Sequence, residues 1–562
     1  MTTHLRVASV TSDACKKNEI APIPAKKYGL AGSSSAVAMV PFAGLVTRAV
    51  LALLSSILLV LSFPHPDQGW IAWFALVPLS LACWRSSLSV SFLSGLLSGT
   101  AAAYGIFFWL FEVPGFRFYH SILAGLYCGL FPAIWCLGIH LLCRLGVSTL
   151  IASPGLWVCL DYLKGHLGFL SLPWATLAHS QHNNLALLQL VSITGEYGLT
   201  YLIVFTNTAL AIALIHQNLQ RLIVPALVLI TLHCWGLLVI NQSSETAQLR
   251  VAAIQPNISL EERKTAPGRK ASFERLERLT MSIADQHPQL IVWPETAVLN
   301  LEINLFLLER IRSLSTELGA PIVAGSTEFA KRLLQNDERS DSMVQRQKQN
   351  SAYFISSEEV LPHPYHKRLL VPFFEYNPVS DKPWLSWLNM DTHNIIAGHT
   401  YSHFLLSDSI RLSPIICWEN LFADYVRQLA LKQTSIIVQL TNDIHFGQTA
   451  APYQHNIASV FRAVENRIPV VIASNGGPSQ IIDSFGRVCA RVPDAFAAET
   501  TMATVAVRNT ESFYTKNGDI FILACVLLLA LATGTAIYAC SKSRLSAFSV
   551  RGGWAVRNQE ED

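Results

Sequence analysis

Leu290-Ile291-Val292-Trp293-Pro294-Glu295-Thr296 is an apolar, β-branched run that stops at a proline and a carboxylate. Such a run reads as a short buried strand, and Pro294 closes it, so Glu295 falls at or just past a strand end. Residues 411–417 end in the same way on a thiol, Cys417, followed at once by the polar switch Trp418-Glu419-Asn420. Between the two lies Tyr365-His366-Lys367, which supplies an ammonium. Further strand candidates are 250–255, 321–325, 351–355, 435–440 and 470–474. Helix-like stretches at 271–286, 304–318, 420–432 and 452–467 separate several of them. The alternation predicts an α/β layered fold with a mostly parallel or mixed sheet, and active sites in such folds are built at strand ends.

This polar block, 242–518, is enclosed by apolar sequence on both sides. The whole chain has 562 residues, 51% hydrophobic and only 14% charged, with a mean hydropathy of +0.35. It is too apolar for an ordinary soluble protein of this length. A spanning helix needs about 20 mostly apolar residues. Runs near 47–63, 70–84, 89–112, 121–143, 149–163, 186–215 and 222–241 precede the block, and one near 519–540 follows it, which predicts a polytopic α-helical membrane protein with about eight transmembrane helices.

The first 40 residues carry Lys16, Lys17, Lys26 and Lys27 and lack an early apolar core, so no cleavable signal peptide is expected. With a cytoplasmic N-terminus, Arg85, Arg144, Arg221, Lys542, Arg544, Arg551 and Arg557 fall on the cytoplasmic side, as the positive-inside bias requires. Arg117 and Lys164 are exceptions. The expected layout is a flexible cytoplasmic extension at 1–45, a membrane domain of about seven helices at 46–241, a periplasmic catalytic domain at 242–518, a final helix at 519–541 and a cytoplasmic tail at 542–562. A net charge of +3 with no Lys/Arg stripe gives no footprint for nucleic acid.

A thiol of ordinary pKa, about 8.5, is only a few per cent thiolate at neutral pH, so a nucleophilic cysteine needs a base or a neighbouring cation. Glu295 and Lys367 can supply those roles for Cys417: the carboxylate takes the thiol proton and the ammonium stabilises an oxyanion. Read singly, each has an ordinary alternative. Glu295 could cap a helix, Lys367 could lie on a solvated patch with Arg368, and Cys417 could be core. Cys489, the other cysteine of the block, reads as a small buried hydrophobe, and a Cys417–Cys489 disulfide is the alternative in an oxidising compartment.

Taken together, Glu295, Lys367 and Cys417 resemble the Cys-Glu-Lys set of the nitrilase superfamily. The match extends to Gln255-Pro256-Asn257-Ile258, Leu370-Val371-Pro372-Phe373 through Glu375, Thr441-Asn442-Asp443, Gln454-His455, Arg462-Ala463-Val464-Glu465 and Ser474-Asn475-Gly476-Gly477. With Ser62-Phe63-Pro64, Val77-Pro78-Leu79, Pro173-Trp174 and Gly195-Glu196-Tyr197-Gly198 in the membrane part, residues 45–540 resemble the apolipoprotein N-acyltransferases of bacterial inner membranes.

The resemblance implies an αββα sandwich outside the membrane, and a ping-pong transfer of an acyl chain from a phospholipid to Cys417. The chain then passes to the α-amino group of an apolipoprotein's diacylglyceryl-cysteine. Glu295 is implied as general base, Lys367 as oxyanion partner and Cys417 as nucleophile. Glu375, Glu419, Trp418 and Asn442 are implied as supporting residues, and no metal or organic cofactor is implied. Phe374, Trp418, His445 and Arg263-Lys264 depart from the usual family residues and leave the three central residues untouched. The alternatives are a membrane-tethered amidase or thioester hydrolase using the same residues, and a non-catalytic scaffold.

Overall fold

The computed structural model describes residues 44–241, 247–329, 348–358, 364–388, 394–507 and 511–557, with 542–557 as backbone only. The expected N-terminal extension lies outside the described residues, except for its last two positions, and so do the tail side chains. In the membrane part the helices are α1 (Leu45–Leu61), α2 (Val77–Cys83), α3 (Leu88–Ile106), α4 (Phe118–Arg144), α5 (Thr149–Gly165), the short α6 (Leu185–Leu188) and α7 (Val191–Thr194), α8 (Glu196–His216) and α9 (Ile223–Ile240).

Among the described residues five helical stretches are long and apolar enough to cross a membrane: Leu88–Ile106, Phe118–Arg144, Glu196–His216, Leu219–Ile240 and Ile520–Ser541. The count of eight is therefore not confirmed. The run near 70–84 is split into a 3₁₀ turn and the seven-residue α2, which restarts where Pro78 lacks an N–H to continue a helix. The run near 186–215 is broken at Gly195, whose φ of +64° ends one helix and opens α8. Helices α1 and α5 reach only 17 residues each. α3 and α4 approach closely because their facing residues are small: a Cβ at Gly99 would lie 2.8 Å from the Gly129 Cα. Leu227, Ile230, Leu527 and Leu531 on the outer helices stay exposed, as lipid-facing side chains do.

The polar block folds as two packed sheets. The first runs β13 (Glu499–Val507), β1 (Ala247–Gln255), β2 (Leu290–Val292), β4 (Ile322–Phe329), β5 (Lys348–Ile355), β6 (Tyr365–His366), with β3 (Val298–Leu299) on β4. The second runs β12 (Val488–Arg491), β11 (Gln480–Ile482), β10 (Val470–Ser474), β9 (Ile436–Thr441), β8 (Ile410–Ile416), β7 (Phe404–Ser407). Each has three parallel strands at its centre, β1-β2-β4 and β8-β9-β10, and antiparallel strands at its edges. Val251, Val292, Val323, Ile416, Val438 and Val471 fill the layer between the sheets.

Helices α10 (Leu260–Lys264), α11 (Ala266–Met281) and α12 (Leu305–Leu318) belong to the first sheet's side, where Leu276 and Ile311 pack on Ile291 and Ile322. On the other side α13 (Ala423–Ala430) and α14 (Ala451–Asn466) lie between the second sheet and the membrane helices, for Val426 and Phe461 share one core with Ile437, Leu199 and Ile203. This is an αββα sandwich with one helical layer seated on the membrane part. After α15 (Phe513–Asn517), α16 (Ile520–Arg557) continues well past the expected end of the final span. Cys489 is a free thiol on the edge strand β12 and is exposed, not buried, because an edge strand leaves one side uncovered.

Candidate active site

Three parallel strands of the second sheet and one of the first end at the same place. β8 delivers Cys417, β9 Asn442, β10 Asn475, and β2 leads through Trp293-Pro294 to Glu295. Cys417 has φ +53° and opens a 3₁₀ turn, Cys417–Leu421. A branchless glycine would reach that left-handed conformation more easily, so the turn is held by its surroundings.

Glu419 does the holding. Its fully buried carboxylate accepts from the Ile416 N–H at 2.7 Å, the Arg368 N–H at 2.7 Å, the Leu369 N–H at 3.1 Å and the Tyr365 hydroxyl. One side chain thus clamps the turn of Cys417 to the loop of Lys367. Burial raises its pKa and these donors oppose the rise.

Glu295 follows a strand that passes tightly under β4: a Cβ at Gly325 would lie 2.3 Å from the Pro294 carbonyl oxygen. Only glycine permits this approach. Asn350, on β5, donates from Nδ2 to Glu295 Oε1 at 2.5 Å, while its main-chain carbonyl accepts the Lys367 N–H at 2.8 Å. Lys367 Nζ donates to Glu375 Oε1 at 2.8 Å and lies 3.7 Å from Glu295 Oε1; the ammonium is 1% exposed. Glu375 Oε2 accepts from the Val371 N–H at 2.8 Å, so it is fixed from both ends.

Burial pushes the Cys417 thiol well above its ordinary value, Glu295 pushes the same way and Lys367 opposes. Burial likewise raises Glu295 against the pull of Lys367. Burial disfavours the Lys367 ammonium, yet Glu375, Cys417 and Glu295 outweigh it and hold the amine charged. Burial thus favours the protonated thiol, and it raises the carboxylate that lines the same cavity.

The sequence-derived residues converge. Glu295, Lys367, Cys417, Glu375, Trp418 and Asn442 all line one cavity of about 930 Å³, at the upper end of the roughly 300–1,000 Å³ usual for ligand sites. Asn442 accepts from Asn475 Nδ2 at 2.9 Å, and the Trp418 ring meets Phe422 at 5.4 Å. Glu419 stands behind the wall as a clamp rather than on it. His445 packs edge-on against Phe374, both on the lining. The cavity extends to Tyr104 on α3 and to Gly125 and Cys128 on α4, between spanning helices.

Asn350 and Gln454 are not among the candidate site residues; Asn350 belongs to no matched segment, and the Gln454-His455 match does not announce the polar contacts of Gln454. Gln454 accepts from the Trp109 and Trp174 indoles at 3.1 and 3.2 Å and donates to the carbonyls of Pro64 and Ile106. It fastens α14 to the membrane part beside the cavity. His166, Asp424 and Asp519 bring ligand atoms within 4.8 Å of one another, but none of them lines the cavity, and His166 Nε2 and Asp424 Oδ2 pair at 2.9 Å.

Residues 55–209 match the apolipoprotein N-acyltransferase N-terminal domain and residues 250–514 the carbon-nitrogen hydrolase domain. An apolipoprotein N-acyltransferase of Geobacter metallireducens is 32% identical over 510 residues, covering 87% of this chain and 95% of that protein. Apolipoprotein N-acyltransferase 1 of Treponema denticola is 27% identical, covering 86% and 95%. That of Chlorobaculum tepidum is also 27% identical, covering 88% and 97%.

Proposed function

The chain belongs to the apolipoprotein N-acyltransferase family, and on that premise we propose that Cys417 carries an acyl chain as a thioester between a phospholipid donor and the α-amino group of a diacylglyceryl-cysteine apolipoprotein. One observation carries the reading: a single cavity joins Glu295, Lys367 and Cys417 to a cleft lined by membrane helices. An acyl chain can then reach the thiol without leaving apolar surroundings, which would cost about 0.8 kcal/mol per CH₂.

In the first half-reaction Glu295 takes the Cys417 proton as sulfur bonds to the ester carbonyl carbon. Lys367 faces the oxyanion. The carbonyl re-forms, the lysophospholipid oxygen leaves, and that oxygen takes the proton from Glu295. In the second, the acceptor amine attacks the thioester carbonyl, Glu295 receives an amine proton and passes it to the departing Cys417 sulfur. Glu375 and Glu419 position Lys367, while Asn442 and Trp418 shape the wall. The charge pattern of Arg85, Arg144 and Arg221 supports a catalytic domain on the periplasmic face of the bacterial inner membrane. Residues 242–518 are that domain in this reading, and 46–241 the membrane domain.

Intact-mass analysis of the purified protein with phospholipid tests this. A hydroxylamine-labile acyl adduct that is absent in Cys417→Ala and moves to a diacylglyceryl-cysteine peptide is the expected result. An adduct lost only to water would put the hydrolase reading in its place, and no adduct on folded protein would overturn both.

A further inference from the structure

Arg263, on α10, lines the cavity together with Glu295 and Cys417. Its Nη1 donates to the hydroxyl of Thr296, the residue after Glu295. Its Nε and Nη2 are shielded from solvent and have no hydrogen-bond partner among the described residues. A guanidinium edge left in that state is costly, because buried charge needs a counter-charge and buried N–H groups need acceptors. Nε and Nη2 form the side of the guanidinium fork that engages two oxygens of one anion.

The surrounding charges point the same way. The lining also holds Lys264 and Lys348, while its only carboxylates among the described residues, Glu295 and Glu375, are both taken up by Lys367. Lys264 meets Glu261 at 2.6 Å in a largely exposed pair, and Lys348 has no ion pair among the described residues. Three cations on the wall are thus unmatched within it, in the cavity that Cys417 also lines. Burial also lowers Arg263 to about 10 against the opposing pull of Glu295, which leaves it fully charged at neutral pH.

We propose that Arg263, assisted by Lys348 and Lys264, is the subsite that holds the phosphodiester of the acyl donor and so places its ester carbonyl at Cys417. This rests on the acyl-transfer reading above. Arg263 is a positioning and specificity residue; it takes no part in bond making.

The test uses the full-length protein in micelles and two donors with the same acyl chains, phosphatidylethanolamine and phosphate-free diacylglycerol, with acyl-Cys417 read by intact mass. Wild type is expected to prefer the phosphodiester donor. Arg263→Gln raises the half-saturating concentration of that donor about tenfold or more, the scale of a charge-assisted hydrogen-bond pair. Its advantage over diacylglycerol shrinks in proportion, and Arg263→Lys restores part of it.

Lys348→Gln, which leaves the Arg263 fork in place, shifts the same ratio less. Glycerophosphoethanolamine competes in wild type and loses potency in Arg263→Gln. No donor preference in wild type, or equal slowing of both donors in Arg263→Gln, overturns the subsite. Competition by inorganic phosphate but not by the glycerophosphodiester overturns its assignment to a lipid. If wild type forms no adduct with either donor, the acyl-transfer reading itself fails, which is a separate outcome.

Discussion

At the strand ends Lys367 lies 2.8 Å from Glu375 and 3.7 Å from Glu295. In the layer seated on the membrane helices, Arg462 lies 2.7 Å from Glu196 and 2.9 Å from Glu465. Both clusters put one cation between two buried carboxylates, and in both one carboxylate is pushed upward by burial. They differ in geometry and in what faces them. Arg462 donates from Nη2 to both partners and from Nη1 to the Leu421 carbonyl, and Glu196 also meets His179 at 3.1 Å, so the set is closed off from the cavity and ties α8 to α14. Lys367 holds one carboxylate tightly and the other loosely, and the loosely held one, Glu295, opens on a cavity beside a thiol. A surplus buried carboxylate is thus a structural tie when enclosed and, in the proposed reaction, a base when it opens on a cavity.

The sharpest way to break this comparison is to delete the cavity-facing members. Glu295→Gln should lower acyl-enzyme formation by about 10³-fold, in line with loss of a general base, and Cys417→Ala, which has no sulfur to acylate, should abolish it. Their melting temperatures in micelles should stay close to wild type. A variant that loses stability as heavily as activity would make the strand-end cluster structural after all.

The closed cluster should behave in reverse. Arg462→Met leaves two buried carboxylates without their cation, a change worth about 3–5 kcal/mol, and the apparent melting temperature should drop accordingly. Replacing Glu196 and Glu465 by Gln in the same chain should recover much of the loss, since no charge is then stranded. Failure of that rescue would mean that Arg462 acts through packing rather than through the ion pairs.

A smaller effect separates the clusters by pH. Burial, opposed by Arg462, holds Glu465 at about 8, whereas an unfolded Glu titrates near 4.3. The folded state therefore keeps a proton that the unfolded state has lost. Stability from this group is full below about 4.3, declines as pH rises to about 8 at up to about 1.4 kcal/mol per unit, and is flat above. Glu465→Gln should remove that slope from denaturation curves recorded between those pH values, and an unchanged slope would refute the assignment.

How much of this was legible in the sequence follows from how local each signal is. Glu295 and Cys417 end apolar strands, so an apolar-to-polar switch makes each a candidate, and the set of three with Lys367, through its resemblance to the nitrilase superfamily, singles them out. Hydropathy alone marks the five full-length spanning helices, but it does not see Gly195 turning left-handed or Pro78 restarting a helix, and there the structure does not confirm the count of eight. Short strands such as β3, β6 and β11 have two or three residues and no period to read. Cys489 was read as buried because composition cannot tell an edge strand from a central one. Asn350, Gln454 and the clamp made by Glu419 depend on partners tens to hundreds of positions away, and only the packed sheets bring them together.

The finest test of the comparison is Glu375→Gln. Glu375 raises Glu295 by its own negative charge and engages Lys367 at 2.8 Å. Neutralising it removes that repulsion and frees the ammonium to favour ionised Glu295, and both changes lower the Glu295 pKa. The acid limb of the acylation-rate profile should then move toward lower pH by about one unit, with a rate loss of about tenfold as Lys367 loses its anchor. A purely structural role for Glu375 would lower the rate and leave the limb where it was. Glu465→Gln should leave the limb unmoved, because the closed cluster neither lines the cavity nor shares a partner with Glu295.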